Sequence, residues 1–248
     1  MQVRLTLEYD GTDYAGWQLQ RNQDSIQGRL EAAFARIFAE PVRVRGAGRT
    51  DAGVHALGQV AAARIPRPFD PAELKRALNA TLPADIAVLD AAMADDGFDP
   101  RRDAIRRDYE YRIVNRPVRS AFDYRYSWLV TEPLKIEALN RAAAVFVGEH
   151  DFAAFRSVGS EERSTRRRVY VSRWTQSDDR FTYRVEAGSF LRHMVRTMVA
   201  AMVEVGRGRA QPAWIEQLLA SRDRAAAPAP APAAGLFLMA VHYPEAAG

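Results

Sequence analysis

The stretch Gly46–His55, GAGRTDAGVH, sets Arg49 and Asp51 on either side of a threonine within a run of glycine and alanine. So much glycine first suggests a phosphate cradle. The dinucleotide fingerprint needs glycines at relative positions one, three and six, but the sixth residue from Gly46 is Asp51, and a Walker A loop needs a Gly-Lys-Ser/Thr that is absent. A carboxylate aimed at a phosphate would also repel it. The loop makes more sense as a frame for Asp51, because small neighbours let a bulky substrate approach the carboxylate and glycine permits unusual dihedrals. The competing reading is a plain tight turn whose aspartate bonds its own backbone.

A single carboxylate restricts the chemistry. Glycosidases place two across the scissile bond, and aspartic proteases share a proton between two. The chain has no cysteine, which removes disulfides, thiolate zinc sites and cysteine nucleophiles together. The histidines, His55, His150, His193 and His242, show no metal-ligand spacing, so no metal site is expected. What remains is a lone aspartate acting as nucleophile or base, which needs the ionised form that a nearby guanidinium favours.

Other conspicuous residues are basic. Arg101, Arg102, Arg106, Arg107 and Arg112 surround Tyr109 and Tyr111, while Arg163, Arg166, Arg167, Arg168 and Arg173 run toward Tyr170 and Trp174. Arginines on phosphates with rings stacked on unpaired bases make a nucleic-acid surface. A solvated strand face is the alternative. All 35 basic residues are arginine except Lys75 and Lys135, which favours planar, bidentate partners, although codon bias gives the same ratio. Net charge is only +4, so distribution matters more than count.

The elements that must position these residues follow from periodicity. Val3, Leu5, Leu7 and Tyr9 alternate with polar residues and predict a half-buried strand over 2–9. DGTDYAGWQ supplies turn chemistry, and Ser25 can cap a helix with Ile26, Leu30, Ala33, Phe34 and Ile37 on its apolar face. Strands are predicted at 42–45, 56–65 and 86–94, with a helix starting at Asp70-Pro71. Beyond residue 105 come a strand over 109–114, a helix over 135–147, an antiparallel pair at 167–174 and 181–187, and helices over 189–205 and 212–220. Residues 225–234 are alanine and proline alone and predict an extended connection to a last strand, 236–241, that completes the second sheet.

The pattern predicts an α+β protein of two α/β halves, 1–105 and 106–248. At 248 residues the chain can bury a sizeable core without staples. Its composition, 48% hydrophobic and 27% charged, is that of an ordinary globular protein. The N-terminus alternates rather than forming a signal-like apolar run, and Arg196 and Glu204 break the most apolar later segment, so a cytoplasmic protein without membrane contact is expected.

Taken in order, YDGTDYAGWQ, SIQGRLE, GRTDAGVHALGQV, RDYEYRIV, DFAAFR, SFLRHMVR and GLFLMAVHY cover nearly the whole chain and resemble the tRNA pseudouridine synthase A family. The resemblance implies the pseudouridine synthase fold, with two halves, each a mainly antiparallel sheet backed by helices, and the active-site cleft between them. It implies a cofactor-free isomerase converting uridine to pseudouridine at positions 38, 39 and 40 in the anticodon stem-loop of tRNA, working as a homodimer. Asp51 matches the family's catalytic aspartate, Arg49 the arginine that helps flip the target nucleotide, and Tyr109 the tyrosine that packs against the flipped base. Arg196 stands where the family has a basic residue near that carboxylate, and Leu236 where an apolar residue lines the pocket. RNA-contacting segments fall on 98–102, with Phe98, Arg101 and Arg102, and on 159–163, with Arg163. Pro100 departs from the expected Phe-x-Ala-Arg, and the run before Gly235 is unusually proline-rich. The rival is a non-catalytic tRNA-binding or RNA-chaperone protein on the same scaffold; the intact Arg49-Thr50-Asp51 and Tyr109 speak against it. Arg192 and Arg196 are expected to flank the apolar stripe of one helix, with Asp51 as the partner of Arg196.

Overall fold

The computed structural model describes residues 1–159 and 164–244, so Arg163 lies outside the described residues. The chain divides into two compact units, Met1–Ile105 with Phe237–Gly248, and Arg106–Leu236. In chain order the first contains β1 (Gln2–Tyr9), α1 (Ile26–Phe38), β2 (Val44–Gly46), β3 (His55–Arg64), α2 (Pro71–Asn79) and β4 (Ile86–Ala94). The second contains β5 (Arg106–Asn115), β6 (Trp128–Val130), α3 (Ile136–Ala144), β7 (Gly148–Asp151), β8 (Arg166–Ser177), β9 (Arg180–Ala187), α4 (Met194–Gly206) and α5 (Pro212–Ser221). The last strand is β10 (Leu236–His242).

In the first unit β1 lies between β4 and β3, antiparallel to both, and β2 pairs antiparallel with β3. The two-residue period of β1 turns Val3, Leu5, Leu7 and Tyr9 onto the buried face, as alternation demands. Against the sheet lies α1, with Ile26, Leu30, Ala33, Phe34 and Phe38 buried; Ile37 is half-buried, so Phe38 takes the place expected of it. Both helices start as their caps predict: Ser25 Oγ accepts from Gly28 N at 3.2 Å, and Asp70 Oδ1 accepts from Glu73 N at 2.9 Å ahead of Pro71. Where β4 slips register against β1, Asn79 clamps Val88, donating to its carbonyl at 2.9 Å and accepting from its N–H at 2.8 Å.

In the second unit the order is β7-β8-β9-β5, antiparallel throughout, with β6 parallel to β5. The predicted pair is longer than expected and is joined by a turn at Asp178, whose φ is +52°. Asn140 of α3 clips that helix to β8 by donating to the Trp174 carbonyl at 3.1 Å and accepting from its N–H at 2.9 Å. A side chain on Gly206 would stand 2.7 Å from Leu139 Cδ2, so its absence lets α4 approach α3.

Two expectations are corrected. His193 has a φ of +65°, which a right-handed helix cannot carry, so α4 begins at Met194 and Arg192 precedes it; Arg192 and Arg196 are not one turn apart on a single helix. The last strand does not belong wholly to the second half. Phe237 and Leu238 pair in parallel with His55 and Ala56 of β3, so the chain returns to its first unit. Strand pairing is mostly antiparallel in each unit, and the protein is a mixed α+β structure. No helix among the described residues is long and apolar enough to cross a membrane.

Candidate active site

Strand-like alternation runs on through the glycine loop: Arg49 is exposed, Thr50 buried and Asp51 half-buried. Thr50 is thus the inward residue of the three, while Arg49 and Asp51 keep exposed surface. Beneath the loop runs the segment 10–18, read from sequence only as turn chemistry. Trp17 N donates to the Thr50 carbonyl at 3.0 Å, Gly53 N to the Tyr14 carbonyl at 3.4 Å, and Gly11 N to His55 Nδ1 at 3.1 Å. Val54 N donates to the Asp51 carbonyl at 3.1 Å, and Gly53 has a φ of +75°, so a tight turn does follow Asp51 and its main chain closes it.

Glycine is required where the segment meets the loop. A Cβ on Gly11 would stand 2.0 Å from the Val54 carbonyl oxygen, and one on Gly16, where φ is +100°, would stand 2.6 Å from the Thr50 oxygen. Side chains grip the loop as well. Tyr9 Oη lies 2.8 Å from Thr50 Oγ1, and Gln59 Nε2 donates to the Gly48 carbonyl at 2.8 Å. Burial pushes the Tyr9 phenol up to about 12, against hydrogen bonds to Thr50 and Gln59 that lower it, so it is neutral at physiological pH.

In the second unit Tyr109 lies on the buried face of β5 and meets Phe190 edge-on, with centroids 5.0 Å apart. Phe190 was not anticipated, because nothing in SFLRHMVR distinguishes a ring packed on another from a core ring. Arg196 Nε donates to the Ala231 carbonyl at 2.7 Å, and Ala231 N donates back to the Arg196 carbonyl at 3.0 Å. Tyr111 Oη donates to the Pro232 carbonyl at 2.8 Å, and a Cβ on Gly235 would strike the Tyr111 ring at 2.7 Å. The alanine and proline connection is therefore pinned by Arg196 and Tyr111, and it delivers Leu236, which is buried.

Phe98, Arg101 and Arg102 belong to the first unit. The Phe98 ring lies 5.1 Å from that of Tyr243, whose hydroxyl donates to the Pro100 carbonyl at 2.7 Å. Asp99 accepts from the N–H groups of Arg101 and Arg102; the Arg102 N–H, followed by that of Arg101 and the charge of Arg45, holds the Asp99 carboxyl below its usual range against burial. Both arginine side chains are exposed, and Arg102 Nε reaches Asp103 at 3.2 Å.

The basic and aromatic interleaving on β5 resolves differently from the expected RNA surface. Strand alternation puts Tyr109 and Tyr111 on the buried face, while Arg112 pairs with Glu110 at 2.7 Å. Arg106 and Arg184 bracket Asp108 and Glu186, which face each other across β5 and β9. Trp174 is buried, 5.0 Å from Tyr183, with Nε1 donating to Met202 Sδ, whereas Tyr170 is exposed.

A tRNA pseudouridine synthase family model matches residues 6–101 and 142–244. The tRNA pseudouridine synthase A of Rhodopseudomonas palustris strain HaA2 is 46% identical over 241 residues, covering 97% of this chain and 98% of that protein. That of Myxococcus xanthus is 43% identical over 244 residues, covering 98% and 92%. The chain belongs to the tRNA pseudouridine synthase A family. The framed loop with Arg49 and Asp51 and the segment beneath it both fall within the first stretch that matches the family. A chain of a solved Cbf5-Nop10-Gar1 complex covers 81% of this one and is covered over 54% of its own length, at a TM-score of 0.33 and 12% identity, a likeness too slight to bear on the fold. Among the described residues no group of three or more histidines and carboxylates is placed to hold a metal ion.

Proposed function

We propose that this protein isomerises uridine to pseudouridine at positions 38, 39 and 40 in the anticodon stem-loop of tRNA, as a cytoplasmic homodimer. The observation that carries the reading is a closely framed loop holding exposed Arg49 and half-buried Asp51 in a chain that matches a member of its family over 97% of its length. Isomerisation breaks the N1–C1′ bond, turns the uracil and rejoins it through C5, so every atom of the nucleoside but the exchanged C5 hydrogen is kept. Asp51 supplies the carboxylate for that sequence. Arg49 contacts the RNA beside the target nucleotide, and Tyr109 packs against the extracted base.

Extracting a stacked base costs a few kcal/mol. Stacking on an aromatic ring returns roughly 1–3 kcal/mol. Leu236 supplies apolar lining, Arg196 secures the connection that delivers it, and Phe98, Arg101, Arg102 and Arg163 contact RNA away from the reacting base.

Tritium at uridine C5 of tRNA is expelled when the new C5 bond forms, so release by the parent and none by Asp51→Asn, with tRNA binding retained, is the expected result. No release by either protein despite tight binding would replace this reading with the RNA-binding one. Binding should weaken with salt, log affinity falling against log salt by roughly 0.7–0.9 per phosphate contact.

A further inference from the structure

Thr50 is the inward residue of the Arg49–Asp51 segment, and what it meets there is polar. Tyr9 from β1 and Gln59 from β3 are both buried, at 4% and 0% exposure, and Thr50 at 6%. The orientation of the Gln59 amide follows from valence. The Gly48 carbonyl can only accept, so Gln59 Nε2 donates to it at 2.8 Å and the amide orientation is set. The remaining Nε2 hydrogen faces Tyr9 Oη at 3.4 Å, and Tyr9 Oη and Thr50 Oγ1 share a hydrogen bond at 2.8 Å that either hydroxyl can donate. The Thr50 carbonyl is meanwhile held by Trp17 N at 3.0 Å. Residues 48 and 50, on either side of Arg49, are therefore held by hydrogen bonds from two strands, and Thr50 immediately precedes Asp51.

Stability alone does not call for a glutamine at this place. Gln59 Oε1 is buried without a hydrogen-bond partner, which makes the amide a costly way to fill a core position. What the amide contributes is the donor on Gly48 and a second, longer bond to Tyr9 Oη.

We propose that Gln59, Tyr9 and Thr50 form a positioning relay that holds the Arg49–Asp51 backbone in its reactive arrangement, so that they govern turnover without touching the uridine. This rests on Asp51 being the catalytic carboxylate. Tyr9→Phe and Thr50→Val each delete the Tyr9–Thr50 bond at nearly constant volume, Tyr9→Phe also removes the longer contact from Gln59, and Thr50→Ser keeps the bond.

The variants would be compared by single-turnover tritium release from C5-labelled tRNA, by tRNA affinity in filter binding and by thermal melting. Tyr9→Phe and Thr50→Val are expected to lower the rate by about 10–100-fold with affinity within about threefold of the parent, since a misplacement near 1 Å has that effect on rate. Thr50→Ser should retain the parental rate within about threefold, and the double variant Tyr9→Phe/Thr50→Val should be no slower than its slower single, because the same Tyr9–Thr50 bond is lost in all three. Rates near the parent's in both single variants, an affinity loss matching the rate loss, or a double variant slowed by the product of the two would each overturn the relay. Should Tyr9→Phe fail to fold, the Thr50 pair decides: an active serine with an impaired valine supports the relay, and equal rates refute it. Asp51→Asn run alongside separates the two readings. Full turnover by it removes the catalytic carboxylate, whereas a dead Asp51→Asn beside fully active Tyr9→Phe and Thr50→Val removes the relay alone.

Discussion

Gly16→Ala is the most informative single perturbation of the loop, because the added methyl group has nowhere to go. The residue sits at a φ of +100°, where an L side chain is strained by about 1–3 kcal/mol. Its Cβ would lie 2.6 Å from the Thr50 carbonyl oxygen and 3.0 Å from the Asp51 carbonyl carbon, both backbone atoms that no rotamer change can move aside. Ordinary contact begins at 3.4 Å, so the Thr50–Asp51 backbone must retreat by about 3.4 − 2.6 = 0.8 Å, or the Trp17 hydrogen bond to Thr50 must break. Overpacking of this kind adds about 1–3 kcal/mol. Together the terms give about 2–6 kcal/mol, a fall in Tm of at least ~4 °C at this chain length. A shift near 1 Å at Asp51 should also cut turnover by up to ~100-fold while leaving tRNA affinity largely intact. Melting followed by circular dichroism and tritium release at saturating tRNA read the two effects. Gly97→Ala is the control: nothing lies within 4 Å of its Cβ and its φ is not left-handed, so it should melt with the parent or slightly above it. If Gly16→Ala kept a parental Tm and rate, the account of the segment 10–18 as the loop's rigid floor would be wrong.

Two further perturbations test the second unit. Phe146 is fully buried and meets Phe155 edge-on at 5.2 Å, so Phe146→Ala should cost about 3–5 kcal/mol in urea unfolding, and a loss under ~1 kcal/mol would show that its aromatic cluster is not core. The Asp123 carboxyl is held below its usual range first by the hydrogen bond from Arg180 and then by Ser120, against burial. Because the folded value is the lower one, its contribution to stability is present above pH ~4 and disappears as pH falls through the depressed value. The pair is partly exposed, so Asp123→Asn should lose only about 0.2–1 kcal/mol at pH 7 and converge with the parent near pH 2, in acid titrations of unfolding; a pH-independent difference would refute the ion-pair origin.

Much of this protein was legible in its sequence because the signals are local. The alternation of β1, the Ser25 and Asp70 caps and the apolar stripe of α4 depend on residues within a turn or two of each other, and they appear where periodicity puts them. GRTDAGVHALGQV pointed to Asp51 for the same reason, since its chemistry and its spacing are written in one loop. The start of α4 was missed because a positive φ at a histidine leaves no mark on composition. Tertiary structure alone decided what long-range pairing decides: that β10 returns to run beside β3, that Gly11 and Gly16 serve a loop some forty residues away, and that the arginines around Tyr109 and Tyr111 divide from those rings. Side chains alternate across a strand, and carboxylates that face each other across neighbouring strands draw the cations beside them. Sequence spacing shows which charges are near in the chain, but only the sheet register settles which of them meet.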